Sequence, residues 1–168
     1  MSDIFLTSDS HFFHKAIIDF QRKDYGSVEA MNEAIIEQWN SLVSDKDEIY
    51  HLGDFGFGTD IGGLESICRR LKGKKTLVLG NHETPMKIKM YMGYFRIVGY
   101  YKFSELGILL THMPVYCGER SESGADTKIK TNIHGHIHKI EDEIQDEVHK
   151  NICYDRERRI YRLDEFIK

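Results

Sequence analysis

Five short clusters of imidazole, carboxylate and amide groups punctuate this chain: Asp9-x-His11, Gly53-Asp54, Gly80-Asn81-His82-Glu83, Thr111-His112 and Gly135-His136-Ile137-His138. Each closes a short apolar run, as in Ile4-Phe5-Leu6 before the first and Leu77-Val78-Leu79 before the third. Strands that end at the same edge of a sheet bring their terminal side chains together. The expected product is a pocket rich in nitrogen and carboxylate donors, which is how a site for two metal ions is built. Neutral imidazole nitrogens and an amide oxygen suit Mn, Fe, Zn or Ni better than an all-oxygen calcium site.

The elements that must position these groups alternate along the chain. Residues 4–8 read as a buried strand and residues 14–24 as a short helix. Ser27 is a helix N-cap, and Val28, Met31, Ile35, Trp39 and Leu42 form one apolar stripe of a helix running to about Val43. A strand is expected over 48–51, then a glycine-punctuated loop over 53–63. A helix with Leu64, Ile67 and Leu71 inward follows, closed by Gly73 as its C′ residue. Residues 75–79 read as strand, and Pro85 opens another short helix. Residues 95–103 read as strand material, with antiparallel pairing as one option, and 106–111 as strand with Gly107 at a hairpin turn. A polar loop covers 117–130, and 131–133, 151–154 and 159–162 are late strands. This order predicts one domain over residues 1–168, an α/β sandwich of two mixed β-sheets flanked by helices, with the metals at the strand ends.

Composition bounds the rest. The 168 residues are 40% hydrophobic and 30% charged, as in a globular protein able to bury a core. There is no membrane-length apolar run and no secretory signature, so a cytoplasmic location is expected and no membrane partner. Cys68, Cys117 and Cys153 lack pairing or CxxC spacing, which argues for reduced thiols. A net charge of −4 offers no basic face for long nucleic acid, so a nucleic-acid partner is possible but not favoured.

Taken in order, the five clusters resemble the DxH, GD, GNH[DE], H and GHxH motifs of the calcineurin-like metallophosphoesterases, over residues 4–138. The resemblance implies one ion held by Asp9, His11 and His138, a second by Asn81, His112 and His136, and Asp54 shared, bridging through separate oxygens. Two divalent ions against two aspartates, with a bridging hydroxide, leave residual positive charge. A phosphate oxygen can then bind across the pair while the hydroxide attacks phosphorus in line. His82 is implied to face the leaving-group oxygen, with Glu83 orienting its ring. The segment Phe55-Gly56-Phe57-Gly58 departs from the further charged residue that many members carry after Gly-Asp.

Other residues have weaker claims. His14 could face phosphate or open a helix, and Arg22 could reach substrate or sit at a solvated helix end. His51 and His134 read as structural, His149 as solvated. Arg120, Lys128 and Lys130 lie on the loop after His112. The leading expectation is a dinuclear metal-dependent phosphohydrolase, a phosphatase or phosphodiesterase, with small nucleotide-type or cyclic phosphates favoured as substrates. A nuclease acting on nucleic-acid ends is the runner-up. A catalytically dead scaffold should show eroded ligand positions, and every one here is filled.

Overall fold

The computed structural model describes residues 2–115, 129–139, 144 and 146–167. The chain runs β1 (Ile4–Thr7), α1 (Lys15–Phe20), α2 (Val28–Leu42), β2 (Glu48–His51), α3 (Ile61–Arg70), β3 (Lys74–Val78) and α4 (Pro85–Tyr91). It continues through β4 (Arg96–Val98), β5 (Tyr101–Phe103), β6 (Ile108–Leu110), β7 (Thr131–His134), β8 (His149–Asn151), α5 (Tyr154–Glu157) and β9 (Tyr161–Arg162). The helix starts are written in the sequence: Ser27 accepts from the Ala30 N–H, Asp60 from Gly63, and Thr84 from Lys87 with Pro85 in the first turn.

Successive side chains of the first strands enter two different cores. Phe5, Ile49 and Leu77 pack with Met31, Ile35 and Trp39 of α2 and with Leu64 and Ile67 of α3. Their neighbours Leu6, Tyr50 and Val78 point the other way, against Ile108, Leu110 and Ile133. A strand buried on both faces needs no polar alternation, so it reads as an unbroken apolar run.

Strands β1 to β4 are parallel and β9 pairs antiparallel with β1, giving the order β4-β3-β2-β1-β9. In the second sheet, ordered β5-β6-β7-β8, β5 is antiparallel to β6 while β6, β7 and β8 are parallel. This is the α/β sandwich of two mixed sheets that the sequence predicts. Among the described residues no helix is long and apolar enough to cross a membrane.

Several boundaries differ from expectation. The run 95–103 is two strands in different sheets, broken at Gly99 and Tyr100; only its second half is antiparallel. The helix over 14–24 stops at Phe20 and is followed by a 3-10 turn, Lys23–Tyr25. Helix α3 ends on Leu71 in an extended conformation, so Gly73 is not its C′ residue. Gly73 instead turns the chain into β3 with φ of 89°. The expected strand over 151–154 is the end of β8 followed by α5. The polar loop expected over 117–130, with Cys117, Arg120 and Lys128, lies outside the described residues except for Ile129 and Lys130.

Candidate metal centre

The loops leaving β1 and β2 are stitched together by backbone hydrogen bonds. The Asp9 N–H donates to the Gly53 carbonyl at 3.0 Å and the His11 N–H to that of Asp54 at 3.1 Å. Asp9, His11, Asp54 and His136 all have positive φ, between 50° and 68°. L residues occupy that region at a cost, and such residues gather at functional sites. Two of the glycines in these clusters are required for space. A Cβ on Gly80 would lie 2.4 Å from Asp54 Oδ1, and one on Gly135 2.0 Å from Ser8 Oγ and 2.2 Å from Asp9 Oδ2. These two positions are where one strand-end loop presses against another.

Each ligand aspartate uses one oxygen to hold a histidine's backbone. Asp9 Oδ2 accepts the His136 N–H at 3.0 Å, and Asp54 Oδ1 accepts the His82 N–H at 3.0 Å. The other oxygen faces the rings. Asp54 Oδ2 lies 3.9 Å from His11 Nε2, 3.5 Å from His112 Nε2 and 3.7 Å from His82 Nε2. A single oxygen therefore faces both sets of ligands, in place of the expected bridge through separate oxygens. Asp9 Oδ1 is buried with no hydrogen-bond partner, 3.6 Å from His138 Nε2 and 3.9 Å from His11 Nε2.

The donor set fits cations. His112 Nδ1 meets the Leu52 carbonyl at 2.8 Å, so in the neutral ring it carries the proton and Nε2 is an acceptor. That nitrogen lies 2.9 Å from Asn81 Oδ1, and His11 Nε2 lies 3.3 Å from His138 Nε2. Two acceptors as close as His112 Nε2 and Asn81 Oδ1 repel one another unless a positive charge sits among them. Asp9, His11 and Asp54 form one candidate ligand group and Asp54, His112 and His136 another. Burial favours the neutral form of two of these rings, as metal ligation requires. It drives His11 down to about 2, with the charges of His138 and Arg22 adding, and it lowers His136. Burial raises Asp9, against the pull of the His112 and His138 rings.

Beyond the ligands the structure departs from expectation at two residues. Glu83 does not orient His82: its carboxylate accepts the N–H groups of Gly80, Asp54 and Phe55 at 2.7, 3.1 and 2.9 Å, tying the β2 and β3 loops together. Arg22, expected as a substrate contact or a solvated helix end, is fully buried. It donates to Asp155 and to the carbonyls of Asp9 and Ser10, so it has no donor facing substrate. Asp155 accepts from His138 Nδ1 at 2.6 Å. Opposing a burial that would raise it, the bonds from His138 and Arg22 hold this carboxyl well below its usual range. Sequence reading missed Asp155, because no motif or spacing marks it.

In front of the ligands lies a cleft of about 460 Å³, lined by His11, His14, His82, His136, His138 and Lys139, with Ile17 and Phe20 on its wall. His14 opens α1 and also lines the cleft. Its Nδ1 caps α1 by accepting the Ile17 N–H at 3.2 Å, and its ring stacks on Phe57 at 3.8 Å within the cleft. The cap requires an unprotonated Nδ1, so the neutral ring carries its N–H on Nε2. His51 is buried and bonded to Ser10 Oγ at 2.8 Å, and His134 is buried away from the cleft. His149, expected to be solvated, opens β8 and bonds Asp146 and the Val115 carbonyl.

The family model of the calcineurin-like phosphoesterase superfamily domain matches residues 3–153. The chain belongs to that superfamily. Its members are in general metal-dependent phosphoesterases that use divalent ions, so this chain is of a hydrolase, metal-binding family. It is 32% identical over 146 residues to the uncharacterized protein MJ1445 of Methanocaldococcus jannaschii, covering 82% of this chain and 70% of that one. It is 26% identical to the gene 66 protein of Mycobacterium phage L5, over 82% of this chain and 78% of the other. The crystal structure of AQ665 from Aquifex aeolicus, a protein of unknown function, superposes with a TM-score of 0.73 at 23% identity. It covers 99% of this chain and 98% of its own. That likeness is one of fold.

Proposed function

We propose that this phosphoesterase is a dinuclear enzyme hydrolysing phosphomonoesters or phosphodiesters, small nucleotide-type or cyclic phosphates foremost. The position of Asp54 Oδ2 carries the reading, since one oxygen looks toward the imidazoles of both ligand groups. Asp9, His11 and His138 would hold one ion, Asn81, His112 and His136 the other, and Asp54 both. When bound, such a pair activates water as a nucleophile near neutral pH and withdraws charge from a phosphoryl oxygen. Manganese, iron, zinc and nickel are the ions to try, because the mixed oxygen and nitrogen donors suit them.

The chain's own groups would do the remaining work. His82 has a partly exposed ring 3.7 Å from Asp54 Oδ2, at the open face of the centre, where it would give a proton to the leaving-group oxygen. Stacking on Phe57 and the Ile17 cap fix the His14 ring, so its Nε2–H would serve as a donor to a phosphate oxygen. The apolar wall of Ile17 and Phe20 supports an organic ester group over a bare phosphate.

A screen of phosphomonoesters, phosphodiesters, cyclic nucleotides and short oligonucleotides with added Mn²⁺ tests the proposal. Activity should need metal and collapse in Asp54→Ala. Full turnover by that variant in chelator contradicts the mechanism. Preferential oligonucleotide cleavage with steep salt dependence would move the reading to a nuclease.

A further inference from the structure

We propose that Asp155, anchored by Arg22, is a positioning residue that makes the Asp9–His11–His138 half of the centre bind its ion more tightly than the other half. The proposal rests on the dinuclear reading above. Asp155 lies on α5, outside all five sequence clusters. Its Oδ2 accepts from His138 Nδ1 at 2.6 Å. That contact fixes the proton on Nδ1 when the ring is neutral and turns Nε2 toward Asp9 Oδ1 and His11 Nε2. A carboxylate on the far nitrogen also makes imidazole a stronger donor to a metal.

Arg22 holds this carboxylate through two bonds, Nε to Oδ1 at 2.6 Å and Nη2 to Oδ2 at 3.1 Å. The same guanidinium donates to the Ser10 and Asp9 carbonyls, each at 2.7 Å. One buried cation therefore aims a ligand supplied by the second sheet and fixes the backbone of one supplied by the first. Tyr154 covers it, with the guanidinium carbon 5.1 Å from the ring centre. The Tyr154 N–H bonds the Ser8 carbonyl at 3.2 Å and so docks α5 against the loop that carries Asp9.

The other half has weaker support. His112 has only the neutral Leu52 carbonyl on its far nitrogen, and Asn81 brings no charge. Among the described residues no hydrogen bond reaches the His136 ring; in the first half His11 Nδ1 likewise has no partner, so the difference rests on His138 and Asp155. Outer partners of this kind change metal affinity by about 10–100-fold. A difference of that order should separate the halves.

Titration of the metal-free protein with Zn²⁺ alone, read by competition with a chromogenic chelator, tests this. Wild type should take two ions in separable steps. Asp155→Asn should weaken the tighter step by about 10–100-fold and leave the weaker one unchanged, with cooperative melting of the metal-free variant showing that it folds. Asp155→Glu keeps a charge on Arg22 but shifts its oxygen from His138, and should weaken the same step by a smaller factor. It decides the matter should the asparagine variant not fold. Wild-type affinity in the folded variant, or an equal loss in both steps, overturns the positioning role. Uptake of a single ion by wild type overturns the dinuclear reading and the inequality with it.

Discussion

The two sheets bring different chemistry to the same edge. Loops of the first sheet supply every oxygen donor, Asp9, Asp54 and Asn81, together with His11; the second sheet supplies only imidazoles, His112, His136 and His138. The two carboxylates, Asp9 and Asp54, are at most 1% exposed, whereas the neutral donors range from His11 at 3% and His112 at 4% to a His138 side chain at 25% and an exposed Asn81. The contrast has an electrostatic logic. A buried carboxylate is tolerable only with its charge compensated, so Asp9 and Asp54 lie where N–H groups and the proposed cations surround them. Imidazole is neutral when deprotonated and can stand at the wetter side.

The largest effects should come from the oxygen side. Asp54→Ala should lose both ions by elemental analysis and reduce turnover to background, whereas His136→Ala should retain one ion. Equal metal loss in the two variants would erase the distinction between the sheets. Next, His82→Ala should lower kcat by about 10²–10⁴-fold with ion content unchanged, since proton transfer is its task. Gly135→Ala tests the seam between the sheets. Its Cβ would strike Ser8 and Asp9, so calorimetry should register a loss of about 1–3 kcal/mol.

The smallest effect concerns the opposite end of the first sheet, where Asp47 precedes β2. Its carboxylate accepts from Ser44 Oγ and from the N–H groups of Asp3 and Ser44, which hold its pKa at about 2 against an ordinary 3.8. A pKa lower in the folded state gives stability that is complete above the unfolded value and is lost as pH falls from there to the folded one. Acid unfolding of Asp47→Asn should show a shallower slope between about pH 4 and pH 2, while metal uptake at neutral pH stays unchanged.

Much of this architecture was legible because its signals are local. Apolar runs mark doubly buried strands, and clusters at their ends mark the proposed ligands. Single charged residues gave no such signal. Arg22 and Asp155 are 133 positions apart and meet only through tertiary packing, so Arg22 read as a substrate contact or a solvated helix end and Asp155 as nothing at all. Adjacency misled at Glu83, because neighbours in a tight turn point different ways; its carboxylate bonds backbone groups of both loops and leaves the His82 ring alone. Which oxygen of Asp54 faces the ligands depended on a backbone N–H that no spacing reveals.

The left-handed backbone at His136 implies that the protein forgoes robustness for capability. Glycine adopts that conformation without the roughly 1–2 kcal/mol penalty carried by an L side chain. In chelator, a His136→Gly protein should accordingly melt no lower than its parent, and in added metal it should hold one ion fewer. Selection for heat resistance alone would drift toward that sequence and leave a sturdier shell with a disarmed interior.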